Sequence, residues 1–195
     1  NVAWSPNGAG VAYTSTSPDG RDLLYITPTG DVARVVTESR PVRVFDWMSG
    51  RGRIAFVEES GGPADRLPGS IFTVTPDGGS LELLLSAGRF APAATITAIN
   101  ASPDGQEIAM TVAVPDTDGQ PRFQSLWQLS IDSGDLQEVP IAAGFRVVET
   151  WWTSAGLIWR GVDVSTSTDQ FTGDEPFVLG RYDAETDSSA IIFQQ

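Results

Sequence analysis

Three residue types that this chain lacks narrow the chemistry open to it. Among its 195 residues there is no His, no Cys and no Lys, and all 12 basic residues are Arg. A Ser-His-Asp triad, a Cys-His pair and a His/Cys zinc site are therefore excluded. So are a P-loop lysine, a Schiff base and a Ser-Lys dyad. Carboxylate chemistry or a site for a hard cation remains. Asp116-Thr117-Asp118-Gly119 sets two carboxylates two residues apart before a Gly, as a calcium loop begins. Trp127 stands where a twelve-residue loop needs its closing acid, so Asp116 and Asp118 form only part of such a motif. Residues 163–175 add Asp163, Asp169, Asp174 and Glu175 among Ser and Thr. Asp46 and Glu149 are the acids to weigh for glycoside hydrolysis. Ser17-Pro18-Asp19-Gly20 and Ser102-Pro103-Asp104-Gly105 lack the spaced Gly and Trp of a sialidase Asp box and read as turns. No residue is assigned a catalytic role, and the chain is read as a non-enzyme.

Binding chemistry is better represented. Arg89-Phe90, Arg122-Phe123 and Phe145-Arg146 place a guanidinium beside an aromatic ring, a pairing enriched where proteins bind proteins. Arg40 belongs with them by position. Trp4, Trp47 and Trp152 recur at equivalent positions, which assigns them to packing between repeats. Trp151 is out of phase with Trp152 and faces the other side of its strand, so it is the aromatic expected to be exposed. The partner-binding candidates are thus Arg40, Arg89, Phe90, Arg122, Phe123, Phe145, Arg146 and Trp151.

The formal net charge is −13 and the sequence pI about 4.2. Such a surface repels nucleic acid and anionic membranes and suits basic protein patches or calcium. No apolar run approaches the ~18 residues of a membrane span. The opening residue is Asn1, as expected of a processed or excised product, and the lack of Cys fits an exported protein without disulfides.

These residues are positioned by a repeat. Val2-Ala3-Trp4-Ser5-Pro6-Asn7-Gly8 aligns with segments around Trp47, Ala101 and Trp152, anchors spaced by about 43 to 54 residues. Each anchor is followed by a second strand (Val11-Ala12-Tyr13, Ile54-Ala55-Phe56, Ile108-Ala109-Met110, Leu157-Ile158-Trp159), then a third strand, a turn and a fourth. A period of this length with four strands per unit is the mark of a β-propeller. The expected fold is all-β, with about four four-stranded antiparallel blades in one domain, 1–195. The blades fall near 1–40, 41–88, 95–142 and 146–195. The sequence leaves open whether this is a complete four-bladed disc or part of a larger propeller.

Trp-Ser-Pro-Asn-Gly at 4–8, Ser-Pro-Asp-Gly at 102–105 and the Val-Ala-Tyr, Ile-Ala-Phe and Ile-Ala-Met strands resemble the TolB-like β-propeller repeats over nearly the whole chain. The second and fourth units depart from the motif: Met48-Ser49-Gly50 and Thr153-Ser154-Ala155 lack its Pro-Asp pair. The resemblance implies a non-catalytic scaffold for protein complexes outside the cytoplasm, periplasmic, cell-surface or secreted.

Second-to-third strand links read as long (15–21, 58–69, 115–124, 161–175), as do links between repeats, whereas first-to-second links are tight. Both long classes emerge at one end of a blade, which should be elaborated for binding. A protein partner is expected there, with no bound cofactor required, no membrane insertion and no nucleic acid. Open blade edges would allow self-association. Two other readings stand beside this one: a small-ligand or calcium sensor, and the accessory propeller of a larger hydrolase.

Overall fold

The computed structural model describes residues 1–17, 20–36, 41–58, 69–90, 94–115, 121–164 and 176–194. Sixteen strands form four separate four-stranded antiparallel sheets, and no α-helix occurs among the described residues. The first blade comprises β1 (Val2–Trp4), β2 (Val11–Ser17), β3 (Gly20–Ile26) and β4 (Val32–Val36); the second β5 (Val42–Met48), β6 (Arg53–Glu58), β7 (Ile71–Val74) and β8 (Glu82–Leu85). The third comprises β9 (Thr95–Ala101), β10 (Glu107–Pro115), β11 (Pro121–Ser130) and β12 (Leu136–Val139); the fourth β13 (Phe145–Thr153), β14 (Gly156–Asp163), β15 (Phe177–Asp183) and β16 (Ser188–Gln194). Each sheet pairs its strands in chain order, the up-and-down meander of a propeller blade.

The tight first hairpins follow from side-chain bonding. In the third blade Ser102 Oγ donates to Asp104 Oδ1 at 2.6 Å, and the same Asp oxygen accepts the Gln106 N–H at 3.0 Å. Ser102 Oγ also accepts the Glu107 N–H at 3.0 Å, and Gly105 supplies the positive φ of 72° that closes the turn. The first blade repeats the device with Ser5, Asn7 and Gly8. The second blade uses a 3-10 turn, Ser49–Arg51, in its place. In the fourth, Thr153 Oγ1 takes the Ala155 N–H and donates to the Gly156 carbonyl.

Two second-to-third links are shorter than the sequence suggests. β2 and β3 pair out to Ser17 and Gly20, and β10 and β11 out to Pro115 and Pro121. Thr14, Ser15 and Thr16 are polar, but they suit a pleated strand and carry the pairing out to Ser17 and Gly20.

Blades pack face to face through apolar cores. Ala12 and Leu23 meet Phe45, Trp47, Ile54 and Phe56 between the first and second blades. Ala55, Val57 and Ile71 meet Ile96, Ile108 and Met110 between the second and third. Ala109, Leu126 and Val139 meet Val147, Leu157 and Trp159 between the third and fourth. β6 explains the pattern. Ile54 and Phe56 point to one neighbour, Ala55 and Val57 to the other, and all four are buried. The turns interlock as well: Arg51 Nε donates to the Gly105 carbonyl at 2.7 Å, and its Nη2 pairs with Asp132 at 2.5 Å. Among the described residues no comparable core joins the fourth blade to the first. Four blades are thus held by three cores.

Candidate functional site

The strand order puts β2–β3 and β4–β5 type links at one end of the blades and the tight β1–β2 type hairpins at the other. The sequence-derived binding residues divide between these ends. Arg89 is exposed at the end of a short 3-10 turn, Ala87–Arg89, on the link from β8 to β9. Phe90 follows it and meets Trp127 edge-on, with ring centroids 5.5 Å apart. Phe145 opens β13 half-buried against the core between the third and fourth blades, and Arg146 beside it is half-buried too. Both Phe rings therefore anchor their links to the blades. Arg40, Asp116 and Asp118 lie outside the described residues. Arg122 and Phe123 belong to β11 by backbone; their side chains lie outside the description. Trp151 is at the opposite end, two residues before the tight β13–β14 hairpin, and it is 43% exposed.

That tight-turn end carries a cavity of about 400 Å³ to which the first strands of all four blades contribute, through Trp4, Asp46, Asn100, Trp151 and Trp152 among others. A ladder of bonds crosses it from blade to blade. Trp47 Nε1 donates to the Ala3 carbonyl at 3.3 Å, and Trp152 Nε1 to the Asn100 carbonyl at 2.9 Å. Ala101 holds the equivalent position in the third blade, and a carboxylate takes over the joining role. Asp46 Oδ2 accepts the Ala101 N–H at 2.8 Å while Oδ1 accepts the Trp47 N–H at 2.9 Å. Asn100 Nδ2 extends the series to Thr150 Oγ1 at 2.7 Å. Burial raises the Asp46 carboxyl above its ordinary value, against the lowering pull of those two backbone N–H groups.

Asp46 is thus occupied as a blade fastener. Glu149, the other acid weighed for glycoside chemistry, is exposed and pairs with Arg160 at 3.3 Å. Trp47 is buried and Trp152 half-buried, as repeat-equivalent placement implies, but Trp4 is 72% exposed. Its equivalents owe their burial to the blade before them; among the described residues no blade packs on that side of Trp4 with a core of its own.

A second cavity, of about 380 Å³, opens at the same end between the third and fourth blades, beside the β13–β14 and β15–β16 hairpins. Sequence reasoning missed it, because its floor is a Gln within an otherwise ordinary strand.

No family model and no curated protein sequence matches the chain. Solved structures do. A TolB of Agrobacterium tumefaciens superimposes with a TM-score of 0.62 at 14% identity, covering 100% of this chain and 64% of that one. TolB from Acinetobacter baumannii gives 0.61 at 11%, covering 100% and 44%. Puromycin hydrolase gives 0.67 at 12%, covering 100% and 29%. The chain therefore spans less than two thirds of the length of each of these structures. At such identities the likeness concerns architecture, and together with the four meander blades it makes this chain a TolB-like β-propeller in fold.

Proposed function

We propose that this chain is a non-catalytic interaction module that works outside the cytoplasm and binds a protein partner. The observation that carries this reading is the siting of two cavities, of about 400 and 380 Å³, on the tight-turn end of the blades. A rigid scaffold with concave, aromatic-walled openings on one end is suited to recognition. The acids near the first cavity have structural partners, which favours binding over turnover. The recognition surface is accordingly assigned to the tight-turn end rather than to the link end, where Phe90 and Phe145 are engaged in packing. The likeness to TolB structures supports a scaffold role, and the nidogen of a nidogen–laminin complex is a further solved neighbour, with a TM-score of 0.58.

The test is photo-crosslinking in cells that make the protein. A benzophenone side chain is placed at Ser49 or Ala155 on the tight-turn end, and at Gly88 or Arg89 on the other. A discrete protein adduct from Ser49 or Ala155 alone is expected. Adducts only from 88 or 89 would move the surface to the link end, and no adduct from any position would overturn the module reading.

A second reading has one observation behind it. The likeness to puromycin hydrolase over 29% of that chain fits an accessory propeller attached to a hydrolase. Reading the parent gene for a nucleophile-elbow sequence decides it.

A further inference from the structure

The cavity between the third and fourth blades has an unmet polar group at its base. Gln128 of β11 is 5% exposed, and its Oε1 has no hydrogen-bond partner. Native structures seldom leave a buried amide oxygen without a donor. Gln128 lines the cavity together with the acids Glu107 and Glu185; Arg181 and Asp183 border it too, but alternation along β15, whose Val178 and Tyr182 enter the core, turns their side chains to the other face of the sheet. The walls are apolar or already engaged. Leu157 is buried, and Trp152 spends its indole N–H on Asn100. The Tyr182 hydroxyl accepts from Gln137 Nε2 at 2.8 Å and donates to Asp187 at 3.0 Å. Burial, Asp187 and Glu107 push its pKa up to about 12, so that proton stays in place.

A buried acceptor beside two carboxylates calls for a ligand that is both cationic and a hydrogen-bond donor. Among the described residues no three potential metal ligands converge. The carboxylates are spread around a rim, which fits a charge distributed over several atoms. A guanidinium meets these demands together: it is planar, weakly hydrated, always charged, and presents five N–H donors. Its alkyl stem can lie along the Leu157 and Trp152 wall.

We infer that the cleft between the third and fourth blades is a receptor for an arginine side chain presented by the protein partner. An N–H group of the guanidinium satisfies Gln128 Oε1, and its charge sits between Glu107 and Glu185. This rests on the interaction-module reading and names the chemistry of its partner.

The probe is N-acetyl-arginine amide, titrated into the ¹⁵N-labelled chain, with the Gln128 side-chain amide and the Trp152 indole as reporters. Saturable shifts confined to this cleft are expected at millimolar probe. The neutral isostere N-acetyl-citrulline amide should bind at least about fivefold more weakly, and tetramethylammonium, which has charge but no N–H, should not move Gln128. Gln128→Leu removes the acceptor and should weaken binding at least about fivefold. Glu107→Gln, which keeps the side chain's size and removes its charge, should weaken it about threefold. Glu185→Gln should weaken it by a similar factor. Shifts that grow without saturation across the acidic surface, or an affinity indifferent to Glu107→Gln and Glu185→Gln, overturn the inference. The two readings fail separately. Arginine binding without any cellular crosslink keeps the cleft and removes the partner. A crosslink from Ala155 without arginine binding keeps the module and removes the cleft.

Discussion

Trp152 donates its indole N–H to the carbonyl of Asn100 across 2.9 Å, and Trp47 makes the same bond to Ala3. In each case the acceptor lies one residue before the anchor position of the preceding blade, so the repeat encodes its own fastener. Replacing either Trp by Phe keeps most of the apolar surface and removes the bond. Trp47→Phe and Trp152→Phe should each cost about 1–2 kcal/mol. Trp4→Phe, at an exposed ring, should stay within about 0.5 kcal/mol. Urea unfolding of the three variants checks this; equal losses at all three sites would remove the ladder as a source of stability.

Asp46 supplies the missing rung where Ala101 replaces Trp. Asp46→Ala strips acceptors from two backbone N–H groups and should destabilise by about 1–3 kcal/mol. Its pH dependence has a definite sign. The folded-state value lies above the ordinary 3.8, so between the two the folded protein binds more protons than the unfolded chain. The Asp46 contribution is therefore fully present below the ordinary value and is lost as pH rises through the raised one. Asp104 runs the other way. The Ser102 hydroxyl, then the Gln106 N–H, hold its carboxyl low, so its contribution is present above the ordinary value and fades as pH falls through the lowered one. Carboxyl ¹³C titration should find Asp46 ionising well after Asp104. Ser102→Ala should move Asp104 upward and leave Asp46 in place.

Much of this architecture is legible in the residues. The spacing of Trp4, Trp47, Ala101 and Trp152, with the Ser-Pro-Asp-Gly turns, reports strands and turns that are settled locally. Properties conferred by a neighbouring blade are not legible in this way. Trp4 carries the same local signal as Trp47 and has the opposite exposure, because burial at that position depends on what packs against it. Phe90 next to Arg89 suggests a binding pair, but the ring's partner is Trp127, on a strand of the next blade. Gln128 has no sequence signal at all; its unmet oxygen exists only because the fourth blade closes over the third.

The fourth blade depends on a missing side chain. A Cβ at Gly180 would run into the Trp159 ring, which is fully buried in the core between the third and fourth blades. Trp159 cannot retreat without opening that core. Gly180→Ala should cost about 3 kcal/mol, at the upper end of overpacking effects. Gly50→Ala should be comparably harmful, since its Cβ would meet the Asp104 backbone of the adjoining blade, which has no rotamer to change. Thermal unfolding measures both. Wild-type stability in Gly180→Ala would mean that Trp159 has room the packing does not show.

Among the described residues, three cores join four blades, and two sheet faces carry apolar residues that no described blade covers. The first blade exposes Val2, Trp4 and Val32, and the fourth Trp151 and Phe193. The pairing registers put Trp4, Val2 and Val32 on the face turned away from the second blade, and Trp151 and Phe193 on the face turned away from the third. Charges on these faces nearly cancel: Asp22 and Arg34 on the first, and Arg146, Arg160 and Arg181 against Glu149 and Asp183 on the fourth, in a chain of net charge −13. The faces also match in polarity. Among the described residues no blade packs before Trp4 to accept its indole N–H, and none packs after Trp151 to use its carbonyl, the next acceptor position of the ladder. Copies of the chain are therefore expected to associate head to tail, first blade on fourth. Light scattering across a concentration series should show a mass rising above 20.8 kDa. Val32→Asp, a charge on the outermost strand of the first face, should restore the monomer without unfolding it. A mass that stays at the monomer value throughout would show that these faces do not recognise each other.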